Sequence, residues 1–256
     1  LKGKESIIRS SSLINLIHDA VKYELINKGV YGSQVYPPLG SSKPELKIAG
    51  FLKQKDQDVC VAPKLLKPTP QKITWGPLAN ENIIDIYGHE YSKQALVINV
   101  RSQLSSIAKN TDTLFERTFA EALNLHMTYH DMVLGEVYLI PVYEYDEATM
   151  NDRKITFKSH KTNIAKYISF FSAINNRANV EDDLYKYERC TLLIVDFRYE
   201  QPKLYSDTAA LIADGLLPKG FPLEMANLSF GSFASDILSA YSKRFEIKNL
   251  GANILL

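Results

Sequence analysis

The stretch that most constrains the fold runs from residue 95 to residue 130. Ala95, Leu96, Val97, Ile98 and Val100 form a mostly β-branched apolar run, which suits a strand covered on both faces. Asn99, Arg101, Ser102 and Gln103 interrupt that run and place polar groups at its end. A helix follows at once. Thr113 and Glu116 have the spacing of a capping box, and Phe115, Phe119, Ala122 and Leu123 recur at helical intervals. A buried strand that ends in polar side chains, beside a helix carrying Glu116 and Glu121, is a place where a chain can build a site.

The flanking segments predict how that unit is packaged. An amphipathic helix is expected over 10–27, with Leu13, Ile14, Leu16, Ile17, Val21, Leu25 and Ile26 on its apolar face and Gly29 ending it. Residues 45–64 read as two strands. The first rests on Leu46, Ile48, Phe51 and Leu52, the second is opened by Asp58 and runs over 59–62, and the polar residues 54–57 turn between them. Short strands are expected at 73–75 and 83–87, a strong central one at 133–145 and a buried one at 190–197. Helices are expected at 164–174, 208–217 and 233–245, with polar loops at 146–154 and 175–183. With no internal repeat or linker, the 256 residues read as one α/β domain. It would hold a mixed central sheet with helices on both faces, a core of about 10–145 and a C-terminal elaboration of 146–256.

Composition narrows the function classes. Hydrophobic content of 45% and charged content of 23% are ordinary for a globular protein. A net charge of +1 excludes a global polycation, so an acidic partner such as DNA would be met by local basic patches. The apolar runs fall short of a membrane span and no signal-peptide pattern is present, so no membrane partner is expected. Cys60 and Cys190 each lie inside an apolar run and read as buried thiols of a reducing, cytoplasmic setting. The chain has no phosphate-cradling Gly-rich loop, GxSxG elbow or GxGxxG, which leaves ATP, serine-hydrolase and dinucleotide chemistry without support.

From residue 10 to residue 145 the order is helix, strand, strand, strand, helix, strand, with an aspartate early in it (Asp58 or Asp85) and the triplet Asn99-Val100-Arg101 ending the third strand. This resembles the PD-(D/E)xK nuclease core, and especially the type II restriction endonucleases. The resemblance implies a restriction-endonuclease-like fold and Mg²⁺-dependent, sequence-specific cleavage of double-stranded DNA by a homodimer. It assigns metal binding to Asp58 or Asp85, with Asn99 and a helix carboxylate, Glu116 or Glu24, assisting. Arg101 would stabilise the transition state and Gln103 would orient water or phosphate. Few protein carboxylates are needed, because Mg²⁺ keeps waters and takes substrate oxygens, polarises a phosphoryl oxygen and activates a water. The chain departs from the pattern twice. Asn99 stands where the family has a second acid, and Arg101 where it has Lys. An amide oxygen binds metal without charge, and a guanidinium is a poor proton-transfer group. Those departures define an alternative, a non-catalytic DNA-binding or assembly module on the same core with a decayed metal site. A structural α/β protein unrelated to nucleic acid is a third reading.

Other motifs carry less. Glu45-Leu46-Lys47 matches acidic-x-Lys but precedes both aspartates, in the wrong order for the family. His126 and His130 have the spacing of zinc ligands on one helix face, yet lack a third ligand and the HExxH glutamate, so a helix end near the C-terminal dipole is the simpler expectation. Residues 43–72 hold seven lysines against Glu45, Asp56 and Asp58, and 153–166 form a second basic stretch. Either can track a phosphate backbone or be a solvated face. The loops at 151–161 and 175–183 hold Asn, Arg and Lys, which can read base edges.

Overall fold

The computed structural model describes residues 11–150, 152 and 154–256. Helix α1 (Ser11–Asn27) turns Ile17, Val21 and Leu25 inward at four-residue intervals. Strand β1 (Val35–Tyr36) precedes a hairpin of β2 (Lys47–Ala49) and β3 (Gln54–Asp56), and β4 (Val59–Val61) follows. Strands β5 (Gln71–Lys72) and β6 (Ile84–Asp85) make a separate ribbon, and the single turn α2 (His89–Ser92) leads into β7 (Leu96–Ser102). Helix α3 (Ile107–His126) crosses to β8 (Val133–Pro141). Next come β9 (Tyr143–Tyr145), α4 (Glu147–Met150), β10 (Phe157–Lys161) and α5 (Ile164–Ala173). Strands β11 (Arg189–Asp196) and β12 (Lys203–Tyr205) complete the sheet, and α6 (Thr208–Ala213) and α7 (Phe230–Ser242) close the chain.

The main sheet has the order β1-β4-β7-β8-β11-β12. β7, β8 and β11 are parallel, joined by the crossover helices α3 and α5, while β1, β4 and β12 pair antiparallel. Side chains alternate between faces. Leu96, Ile98 and Val100 with Val133, Val137 and Leu139 pack under α1 and α7. Val97 with Leu134, Tyr138 and Ile140 packs under α3 and α5. This is the expected mixed α/β sheet covered on both faces. The same alternation carries Asn99 and Arg101 of β7 and Glu136 of β8 onto the face under α3. On the opposite face α7 sits so close to β8 that a Cβ on Gly135 would meet Ile237 Cδ1 at 2.6 Å and Phe233 Cζ at 2.9 Å.

Several local expectations are corrected. Residues 54–56 form β3 rather than a turn, and the chain turns at 50–53. Gly50 N donates to Lys53 O, and Asn124 Oδ1 of α3 accepts from Leu52 N and Lys53 N at 2.7 and 3.2 Å. Backbone pairing and this clamp make a strand of three polar residues that no hydrophobic alternation marks. Helix α3 begins six residues before Thr113, so the capping box does not form, and Thr113 and Glu116 are exposed. The carboxylate of Glu144 on β9 takes that role, accepting from Ile107 N at 3.2 Å. The ribbon pairs Gln71–Lys72 with Ile84–Asp85, displacing the strand expected at 73–75. Ser10, Asn151 and Arg153, which begin the expected first helix, a loop and a basic stretch, lie outside the described residues. Among the described residues no helix is long and apolar enough to cross a membrane.

Candidate functional site

Strand register lines up a polar row across three neighbouring strands. Val59 of β4 pairs with Ile98 of β7, so Asp58 stands opposite Asn99 one step on, and Asn99 pairs with Glu136 of β8. Directly opposed side chains on one face are roughly 5 Å apart at Cβ. Asp58 Oδ2 accepts from Val100 N at 2.9 Å, which ties the aspartate to the triplet backbone. Arg101, two residues along on the same face, places Nη2 at 2.5 Å from Glu121 Oε2 and Nε at 2.9 Å from Glu136 Oε1. The second contact lacks hydrogen-bond alignment, so both Glu136 oxygens and Arg101 Nε are buried without a hydrogen-bond partner among the described residues, as is Asn99 Nδ2. Lys55 of β3 reaches the same Glu121 oxygen at 2.8 Å and Asn99 Oδ1 at 3.4 Å. Side-chain exposure rises from 0% at Glu136 through 10% at Glu121 and 13% at Arg101 to 26% at Lys55, so the cluster opens toward the β2–β3 hairpin.

The electrostatics follow from this gradient. Burial pushes the Glu136 carboxyl up to about 7; Arg101 pulls it down, while Glu121 and Asp58 add to the rise. Burial also disfavours the Glu121 carboxylate, but Arg101 and Lys55 outweigh it and hold that group below the usual range. For Arg101 burial lowers the pKa, and Glu136 and Glu121 reverse that and raise it. The site therefore holds a guanidinium clamped between two glutamates, one firmly ionised and one that titrates near neutrality.

The structure brings Asp58, Asn99 and Arg101 together and separates them from the other expected residues. Asp85 is buried in the β5–β6 ribbon, where Oδ1 accepts from Tyr87 N at 3.0 Å, and none of its described partners belongs to the triplet. Glu116 is exposed on α3, five residues from the glutamate that does face the cluster. Glu24 is half-buried on α1. Gln103 is a packing link, its Oε1 accepting from Tyr138 OH at 3.1 Å and its Nε2 donating to Ser106 O at 3.2 Å. His130 lies beyond the end of α3 near Glu181, and buried His126 has Leu184 O and Met132 O within 2.9 and 3.2 Å of its ring nitrogens. The two histidines share no ligand position. In the basic stretches Lys43, Lys47, Lys158 and Lys166 pair with acids.

Sequence reasoning passed over Glu136, named Glu121 only as one of two carboxylates on the helix beside the site, and counted Lys55 only among the seven lysines of a basic stretch. Glu136 carried a signal, a lone acid inside an apolar run of nine residues. Glu121 lies on the same helix as Glu116 and differs from it only in facing. Lys55 was hidden in a segment that reads as a turn.

The donor set suits a hard divalent cation. Among the described residues Glu136 offers oxygens with no hydrogen-bond donor, Asp58 is half-buried with one oxygen bonded to Val100 N, and Asn99 presents a carbonyl oxygen. Among the described residues no three His, Cys, Asp or Glu side chains converge closely enough to hold an ion by themselves. Mg²⁺ commonly takes only one or two carboxylates and completes its shell with water and substrate phosphate. Comparison of the chain with protein-family models, curated proteins and solved structures gives no match.

Proposed function

We propose that this protein is a Mg²⁺-dependent endonuclease of the restriction type, acting on double-stranded DNA. The observation that carries the reading is Asp58, delivered by the antiparallel strand next to β7 and bonded to the backbone inside Asn99-Val100-Arg101. Asp58 and Asn99 Oδ1 would hold the metal, which when bound supplies Lewis-acid polarisation of a phosphoryl oxygen and an acidified water. Arg101, fixed by Glu121 and Glu136, provides an oriented positive charge for the scissile phosphate. Lys55 provides a second cation at the open end, on a flexible stem that a guanidinium clamped between two glutamates lacks. Two strands require two such sites, which a two-fold dimer supplies.

Supercoiled plasmid incubated with Mg²⁺ or Mn²⁺ tests this. The wild type is expected to nick or linearise it and to lose that activity in EDTA. Asp58→Asn keeps an oxygen for Val100 N, so it is expected to stay folded and to lose cleavage by about a hundredfold or more. Arg101→Ala, where it folds, is expected to lose cleavage to a similar degree. Full cutting in EDTA, or by Asp58→Asn, sinks the reading. A second reading has its own observation. Arg101 closes on both glutamates and the acid expected at the first triplet position is a neutral amide, which fits a DNA-binding module whose metal site has decayed. A gel shift without cleavage at any divalent metal selects it.

A further inference from the structure

A second polar site lies away from the face under α3. A cavity of about 720 Å³ opens between the loop after α5, the turn Met225–Leu228 and α7. That volume falls in the range of small-molecule pockets. Arg177 of the loop, Arg189 at the head of β11, and Lys243 and Arg244 just past α7 line it, against Glu188 and Asp236. Four cations thus face two carboxylates, a local surplus larger than the +1 of the whole chain.

The cations are held in place. The Glu188 side chain is fully buried, and its Oε1 accepts from Arg177 Nη1 at 3.1 Å and from Arg244 Nη1 at 2.7 Å. One carboxylate therefore orients two guanidiniums and balances only one of them. Arg189 is spent on Ser232 Oγ at 3.0 Å and Asp236 at 3.0 Å. What is left over is specific. Arg244 Nε and Nη2 make no hydrogen bond among the described residues, and Lys243 is exposed there without an acid partner. Arg177 Nε is buried with no acceptor among the described residues. Among the described residues no aromatic ring lines the cavity, so it offers charge and hydrogen-bond donors rather than a stacking surface. Preorganised guanidinium and ammonium donors with a surplus of two charges match a phosphate group, which carries about −1.5 to −2 near neutral pH.

We propose that this cavity binds the phosphate group of a small phosphorylated molecule, with Arg244 and Lys243 taking its oxygens. The site shares no residue with the Asp58–Arg101 cluster, so it stands or falls independently of the nuclease reading.

Isothermal titration of the full chain with inorganic phosphate, pyrophosphate and AMP, at constant ionic strength, tests the proposal. At least one probe is expected to bind saturably with one site per chain. Lys243→Glu, on an exposed residue with no acid partner among the described residues, is expected to weaken that binding about tenfold or more, and Asp58→Asn to leave it unchanged. Arg244→Lys, which keeps a cation for Glu188, is expected to weaken it as well. The proposal is overturned if none of the three probes saturates, or if Lys243→Glu binds as tightly as the wild type. It is also overturned if only a short DNA duplex binds and loses affinity on Lys243→Glu, since the cavity would then be a nucleic-acid contact.

Discussion

Glu136 is the residue with the most unusual position, a carboxyl without exposure in the middle of the central strand, sharing one guanidinium with a competitor. Its pKa, raised to about 7, has a direct consequence for stability. The folded state holds this proton more tightly than the unfolded chain does. Its stabilising effect is complete below the unfolded value near 4.3 and is lost as pH rises toward about 7. In urea titrations, Glu136→Gln is therefore expected to match the wild type more closely at pH 5 than at pH 8. By pH 8 the neutral amide should have gained on the carboxylate by a few kcal/mol. Comparing the two proteins cancels His126, whose pKa, lowered to about 4 chiefly by burial, acts in the opposite direction. Parallel pH slopes for the two proteins would show that Glu136 is ionised throughout. Replacing its partner is a different experiment. Arg101→Ala strips the guanidinium from both glutamates, and losing one member of a buried pair typically costs about 3–5 kcal/mol. Cleavage assays on that variant thus need a folding control by circular dichroism.

At the scale of elements, what was legible in the sequence is what hydrophobic periodicity reports. β7, β8, β11, α1 and α5 are apolar runs or apolar stripes, and they form where those patterns lie. The elements that were not legible are held by partners remote in the chain. β3 is three polar residues made into a strand by β2 and by Asn124, some seventy positions away. α3 is capped by Glu144, 37 residues downstream, rather than by its own Thr113 and Glu116. Half of the candidate site follows the same division. Asn99 and Arg101 interrupt an apolar run and so announce themselves, whereas Lys55 arrives on the unannounced strand. The cap makes a testable contrast. Glu144→Ala removes the acceptor of Ile107 N and the partner of Lys158, at a helix start that favours negative charge. It is expected to cost about 1–2 kcal/mol in urea denaturation. Glu116→Ala, on an exposed residue of the same helix, is expected to stay within about 0.5 kcal/mol. Gly50→Ala tests the clamp at the other end of α3. A Cβ there would meet Asn124 Nδ2 at 2.3 Å and Asn124 O at 2.4 Å, so the hairpin that carries Lys55 must lift.

For the whole molecule, the sheet separates two apolar layers that make different demands. One layer, under α3 and α5, surrounds the polar row. The other, under α1 and α7, is apolar where it meets the central strands and reaches β8 at Gly135. A site that must hold Asp58, Asn99 and Glu136 in register needs a stiff sheet, and a tightly seated layer on the far side is one way to supply it. Gly135→Ala separates the two layers experimentally. The added methyl cannot fit unless the ends of the Ile237 and Phe233 side chains move, which loosens the seating of α7 on β8, and overpacking of this kind costs about 1–3 kcal/mol. Hydrogen exchange in this variant is expected to quicken along α7 while α3 and α5 keep their protection, because neither helix packs on that face. Equal loss of protection on both sides would mean that the layers open as one cooperative unit. The polar row would then owe its register to the whole core rather than to the strands that carry it.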